Sequence, residues 1–141
     1  MPVFARLMLP AAFLAAGLAA DVPMSDTPLL PDALRAGWKG APVCTLLRSD
    51  HTNRLLRCTF APGIGHERHF HPAHIGYALE GGIMRITDAK GTRDQVLAAG
   101  SSYTSAGTPW HEVINIGATP VTYLIFERIV PDPASGGAKP Q

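Results

Sequence analysis

The chain has 141 residues, 16% of them charged, and a formal net charge of +1. That length allows one domain with a real core, and a near-neutral chain without a basic stripe excludes nucleic acid as a partner. Thirteen prolines and fourteen glycines punctuate short apolar runs, which favours an all-β fold over a helical one.

Residues 1–20 read as a removable secretory signal. Arg6 supplies the positive start, Leu7 to Ala20 is a short apolar run broken by Pro10, and Gly17 and Ala19 are the small residues before a cut at Ala20. The run is short for a membrane span, although a buried or anchoring N-terminal helix is the other reading. The mature protein is therefore expected to be periplasmic or secreted, with no stable membrane insertion. Residues 21–41 form an N-terminal arm. Within it LPDALRAG is expected to make one or two helical turns, from Pro31 to a stop at Gly37.

Strand signals begin at Pro42 and define a domain over residues 42–130. The expected strands are VCTLLR, LLRCTFA, IGYALE, IMRITD, RDQVLA, SSYTS, HEVINI and VTYLIFERIV. Gly81-Gly82 is expected to form a two-residue hairpin turn, because glycine tolerates positive φ cheaply. Ala89-Lys90-Gly91 and the stretch from Gly117 to Pro120 supply further turns. Strands this short and this regularly spaced suggest a sandwich or barrel. Residues 131–141 are expected to be a mobile tail.

Cys44 and Cys58 flank a polar patch centred on His51. If the flanking segments pair about that midpoint, the two cysteines face each other. A disulfide is then possible and an oxidising compartment would preserve it; two small buried thiols are the alternative.

The densest chemistry lies in GHERHFHPAH, where His66, His69, His71 and His74 fall within nine residues, with His111 further on. Neutral imidazole is the commonest metal ligand near pH 7. His69 and His71 are two apart, so on a strand they share a face. With His111 converging from elsewhere they form the best ligand set. His74 breaks their parity and would need a bulge after Pro72 to join as a fourth ligand. Glu67 has the parity of His69 and is a reserve carboxylate. His66 reads as a rim residue or proton carrier, and His51 as solvated in a turn. His66 and Glu67 are the only nearby candidates for a general base. Phe60, Phe70, Tyr77, Tyr103 and Trp110 are candidates for an apolar pocket wall or for ordinary core. Free imidazoles with a pKa of about 6.5 would lose metal to protons below about pH 6.

Two motifs carry a family resemblance. Gly63-x5-His69-x-His71, followed by YALEG from Tyr77 to Gly81, resembles the first motif of the cupins. Gly100-SSYTSAGTPW-His111-EVI-Asn115 is similar to their second motif. The likeness runs from Pro62 to Asn115, and flanking strands extend it to about Val43–Ile129. It implies a small jelly-roll barrel (a double-stranded β-helix), often dimeric, with a metal in its mouth. The departures are specific. The glutamate that the first motif normally supplies to the metal is replaced by His74 in one alignment and by Ile75 in the other. In the second motif Ser105 stands where proline is usual, and His111 comes one residue late, after Gly107.

These features point to an exported, metal-binding protein that uses a divalent transition metal: iron, manganese, zinc, nickel or copper. Replacing a carboxylate ligand by imidazole leaves more positive charge at the ion and favours anionic ligands. The expected function is a dioxygenase- or isomerase-like enzyme acting on a small organic acid or phenolic compound, with a homodimer as the assembly. The alternative is a metal or small-ligand binding protein without turnover.

Overall fold

A computed structural model describes residues 29–129 of the chain. The expected signal, the start of the arm and the tail lie outside the described residues. The elements are β1 (Gly37–Trp38), β2 (Ala41–Pro42), β3 (Cys44–Ser49), β4 (Asn53–Phe60), β5 (Gly65–His71), β6 (His74–Glu80), β7 (Gly82–Asp88), β8 (Gly91–Leu97), β9 (Ser102–Ser105), β10 (Thr108–Asn115) and β11 (Val121–Arg128). All eight strands expected from the sequence are present. The additional long strand, β5, carries the histidines, and its polar composition hides it from a search for apolar runs.

The long strands form two antiparallel sheets, ordered β5-β10-β7-β8 and β3-β4-β11-β6-β9. The chain steps repeatedly from one sheet to the other, so the two inner faces enclose one core: a jelly roll. Leu56, Phe60, Met84, Val113, Val121 and Ile125 fill it. Each sits on the inward parity of its strand, as a half-buried strand requires.

Two expectations about local structure are corrected. Gly81-Gly82 does not close a hairpin, because β6 pairs with β11 and β9 while β7 pairs with β10 and β8. The chain changes sheets at this point. Neither glycine has positive φ; what excludes a side chain is close approach. A Cβ on Gly81 would strike the Leu97 carbonyl oxygen, and one on Gly82 would strike Val121. The arm makes one helical turn, within the one or two expected, and it is at Gly37 that it differs. The amides of Arg35 and Ala36 donate to the Asp32 carbonyl, and the Asp32 carboxylate accepts from Leu34 and Arg35. Gly37 does not stop a helix but starts the β1–β2 ribbon, which turns at Lys39 and Gly40 with positive φ at both.

The hairpin of β3 and β4 pairs Cys44 with Cys58 across the strands, and the two are joined by a disulfide. The reading from the His51 midpoint therefore holds. At the crossing between β10 and β11, buried Asn115 donates its amide to the carbonyls of Phe60 and Thr119 and accepts from the Gly117 amide. The last residue of the second motif is thus a clamp on a turn between sheets. No helix among the described residues is long and apolar enough to cross a membrane.

Candidate metal centre

The site grows out of the pairing of β5 with β10. Thr108 pairs with His71, His111 with His69, and Val113 with His66. Between the first two pairs β10 has one residue too many; between the last two, β5 does. Each surplus is a β-bulge. The first absorbs the extra residue before His111, with Pro109 at the bulge, where a missing N–H does no harm. The second reverses parity along β5, so His66 faces inward three residues from His69. Glu67 is turned out to solvent, where it accepts the Lys39 amide at 2.8 Å.

Three imidazoles converge. His69 Nε2 lies 2.9 Å from His71 Nε2 and 3.0 Å from His111 Nε2, and the ligand atoms of all three fall within 4.8 Å of one another. The other ring nitrogens explain which atoms face inward. His69 Nδ1 donates to the Glu67 carbonyl at 2.6 Å, and His71 Nδ1 donates to the Glu127 carboxylate at 2.6 Å. With those protons placed on Nδ1, both Nε2 atoms are bare lone pairs pointed at each other. Between neutral rings that contact is repulsive unless a metal ion or a proton lies between the nitrogens. Bonds from a metal to imidazole run about 2.0–2.1 Å, so two donors at right angles on one ion stand about 2.9 Å apart. The three residues fit a metal ion.

Burial keeps His69 and His111 neutral. Desolvation, reinforced by the neighbouring imidazoles, pushes His69 down to about 2 and His111 down to about 3. His66 is pushed down to about 4, mainly by burial, which the backbone carbonyls of Ala36 and Ala33 offset only in part. His66 is no rim residue: it stacks on His69 with ring centroids 3.7 Å apart, and its buried Nε2 has no partner.

His74 comes inward by a different route from the bulge the sequence suggests. At Pro72 and Ala73 the chain crosses between sheets, and His74 opens β6 on the inner face of the opposite one. It is buried and stands 4.8 Å from His71, centroid to centroid. Its Nδ1 donates to the Pro72 carbonyl at 2.8 Å, leaving Nε2 as an acceptor. It lines the adjoining cavity rather than joining the converging trio. Burial lowers its pKa as well.

The cavity has a volume of about 570 Å³ and lies between β8 and β9, the edge strands of the two sheets. Met84, Ile86, Val113 and Tyr123 form its apolar wall, and His111, His74 and Tyr103 face it. Tyr103 crosses over Gly76, whose missing side chain leaves room for the ring. The other expected wall residues lie elsewhere. Phe60 is fully buried core, stacked on Tyr123 at 5.3 Å, and Tyr77 is on the outer face of β6. Trp110 lies under the Arg68 guanidinium at 3.8 Å, Phe70 is exposed, and neither lines the cavity.

Sequence reasoning missed Glu127. It is fully buried, holds His71, and is itself held by the Arg54 guanidinium. Burial alone would raise its pKa, but the hydrogen bonds from His71 and Arg54 outweigh that and lower it. The signal was present: an acidic residue with the same inward parity as Tyr123 and Ile125 in an otherwise apolar strand.

A family model described as the cupin domain matches residues 56–127. The chain belongs to the cupin family. Among solved structures, this cupin is similar to a cupin domain from Bordetella pertussis Tohama I, with a TM-score of 0.59 and 20% identity over 72% of this chain and 97% of that one. It is also similar to a conserved protein with a double-stranded beta-helix domain from Klebsiella pneumoniae, with a TM-score of 0.52 and 18% identity over 64% of this chain and 78% of that one. At such identities these likenesses establish the fold alone. A search of curated proteins finds no match.

Proposed function

We propose that this cupin is an exported metal-dependent enzyme that oxygenates or isomerises a small organic acid or phenolic compound. The observation that carries the reading is the convergence of three imidazole Nε2 atoms, 2.9 and 3.0 Å apart, beside a cavity of about 570 Å³. A divalent transition metal held by His69, His71 and His111 would supply Lewis-acid polarisation of a substrate oxygen and, if it is iron, the redox chemistry of an oxygenase. The protein's own groups do the rest. The apolar wall of Met84, Ile86 and Val113 lowers the local polarity, which strengthens charge interactions beside it. Neutral His74 is placed to accept a substrate proton at Nε2, the role that sequence reasoning assigned to His66 or Glu67. The disulfide supports export, because an oxidising compartment preserves such a bond.

One feature favours the alternative of binding without turnover. Asp88, the carboxylate lining the cavity, is already engaged by Arg93 and by the Lys90 amide. Metal analysis of purified protein, followed by oxygen uptake with catechols, diketones and thiols and by isomerisation assays, separates the two. Stoichiometric metal with turnover is the expected result. Stoichiometric metal without turnover on any substrate would make it a binding protein.

A further inference from the structure

The three converging imidazoles bring no negative charge to a cation. Behind His71, however, runs a line of charged groups that no motif covers. Glu127, with no exposure, accepts His71 Nδ1–H on one oxygen and Arg54 Nε–H on the other. Arg54, whose side chain is 14% exposed, reaches on through Nη1 to the Asp32 carboxylate at 3.2 Å. Two carboxylates and one guanidinium leave a single buried negative charge beside the ligand set. One of the three groups, Asp32, belongs to the N-terminal arm. Asp32 lies in its one helical turn, forms a bridge with Phe70 between the two ligands of β5, and precedes Ala33, which is buried in the core. In that bridge the Phe70 amide donates to the Pro31 carbonyl at 3.1 Å.

We infer that Asp32 and Arg54 are positioning residues for the metal centre, acting through Glu127 on His71, so that the docked arm is part of the site. The physical reason is twofold. Outer groups that hold a ligating imidazole fix its tautomer and direction and raise its basicity. Asp32 also shares the Arg54 charge. Without Asp32, Arg54 would cancel Glu127 completely and the buried counter-charge to the cation would vanish. Because coupling is reciprocal, metal binding must also tighten the arm against β5. The inference rests on the metal-binding reading above.

The test uses the full chain and zinc or cobalt(II) alone as the probe. Glu127→Gln should lower metal affinity by about 10–100-fold, with a changed cobalt(II) absorption spectrum. Asp32→Asn keeps an oxygen for the Leu34 and Arg35 amides but removes the charge; it should weaken binding several-fold. In the Glu127→Gln background the same substitution should have little further effect, since its route to the metal is gone. Asp94→Asn, which alters an exposed carboxylate paired with Arg85 across β7 and β8, is the control and should change nothing. Thermal melts of the metal-free variants identify any that fail to fold, and Arg54→Lys then serves as a milder probe of the same connection. Metal should also slow hydrogen exchange at the Phe70 and Ala36 amides. Equal losses from Asp32→Asn in both backgrounds, or no loss while wild type binds tightly, would overturn the inference and leave the metal site standing. A wild-type chain that binds no metal would remove both.

Discussion

At the scale of single residues, the site divides side chains by what each nitrogen does. His69, His71 and His111 turn Nε2 to a common point, whereas His74 turns its Nε2 to the cavity. Replacing any of the first three by Ala should lower metal affinity by more than the 10–100-fold typical of an outer-shell partner, as read by metal content after dialysis. His74→Ala should leave most of the metal in place and reduce turnover by about 10²–10⁴-fold, the usual contribution of a general base. His51→Ala, in the exposed β3–β4 turn, should do neither. Metal loss in His74→Ala equal to that in His69→Ala would place His74 among the ligands instead.

The pH dependence also belongs at this scale. His66, His69 and His111 have folded values of about 4, 2 and 3, against about 6.5 in an unfolded chain. Between those values the unfolded state binds more protons. Their neutral burial therefore counts fully above pH 6.5, and stability is lost as pH falls toward the folded values. The melting temperature of the metal-free protein should drop between pH 7 and 5, and less steeply in a His69→Ala/His111→Ala double variant. Metal release on acidification should accompany unfolding rather than precede it, at a lower pH than free imidazoles would suggest.

At the scale of elements, two devices hold the frame around the site. The disulfide closes a loop with a sequence separation of 14 on the β3–β4 hairpin. Replacing both cysteines by serine should lower unfolding free energy by about 3 kcal/mol, with metal stoichiometry unchanged, since no ligand lies on those strands. Gly81 lets the chain pass from one sheet to the other against the Leu97 backbone. Gly81→Ala should destabilise by about 1–3 kcal/mol through overpacking, seen as a lower denaturant midpoint. A neutral result would mean that the crossing has slack.

At the scale of the whole molecule, the two sheets leave one side open and close the other. The cavity lies between edge strands β8 and β9, while the arm bonds to β5 at the far edge. The outer face of the five-stranded sheet exposes Ile75, Tyr77 and Phe126, and a homodimer covering that face is the assembly we propose. Light scattering should report twice the monomer mass; a monomer at high concentration would refute it. Export predicts a mature N-terminus near Ala20 in periplasmic or secreted material, read by N-terminal sequencing.

What the sequence determined by itself is what depends on neighbours in the chain. Strand positions follow from apolar alternation and turn residues, the cysteine pairing follows from symmetry about His51, and the shared face of His69 and His71 follows from two-residue spacing. The family resemblance supplied the jelly roll. Tertiary structure decided whatever depends on which strand lies beside which. Gly81-Gly82 has the composition of a hairpin turn, but whether its two strands pair is settled by β11 and β10, which take those places. A bulge is set by the partner strand, so the inward turn of His66 and the outward turn of Glu67 could not be read from parity. Likewise, nothing local links Glu127 to His71, 56 residues earlier. A buried carboxylate meets its partner only when two sheets close over it, and burial is what makes that meeting matter.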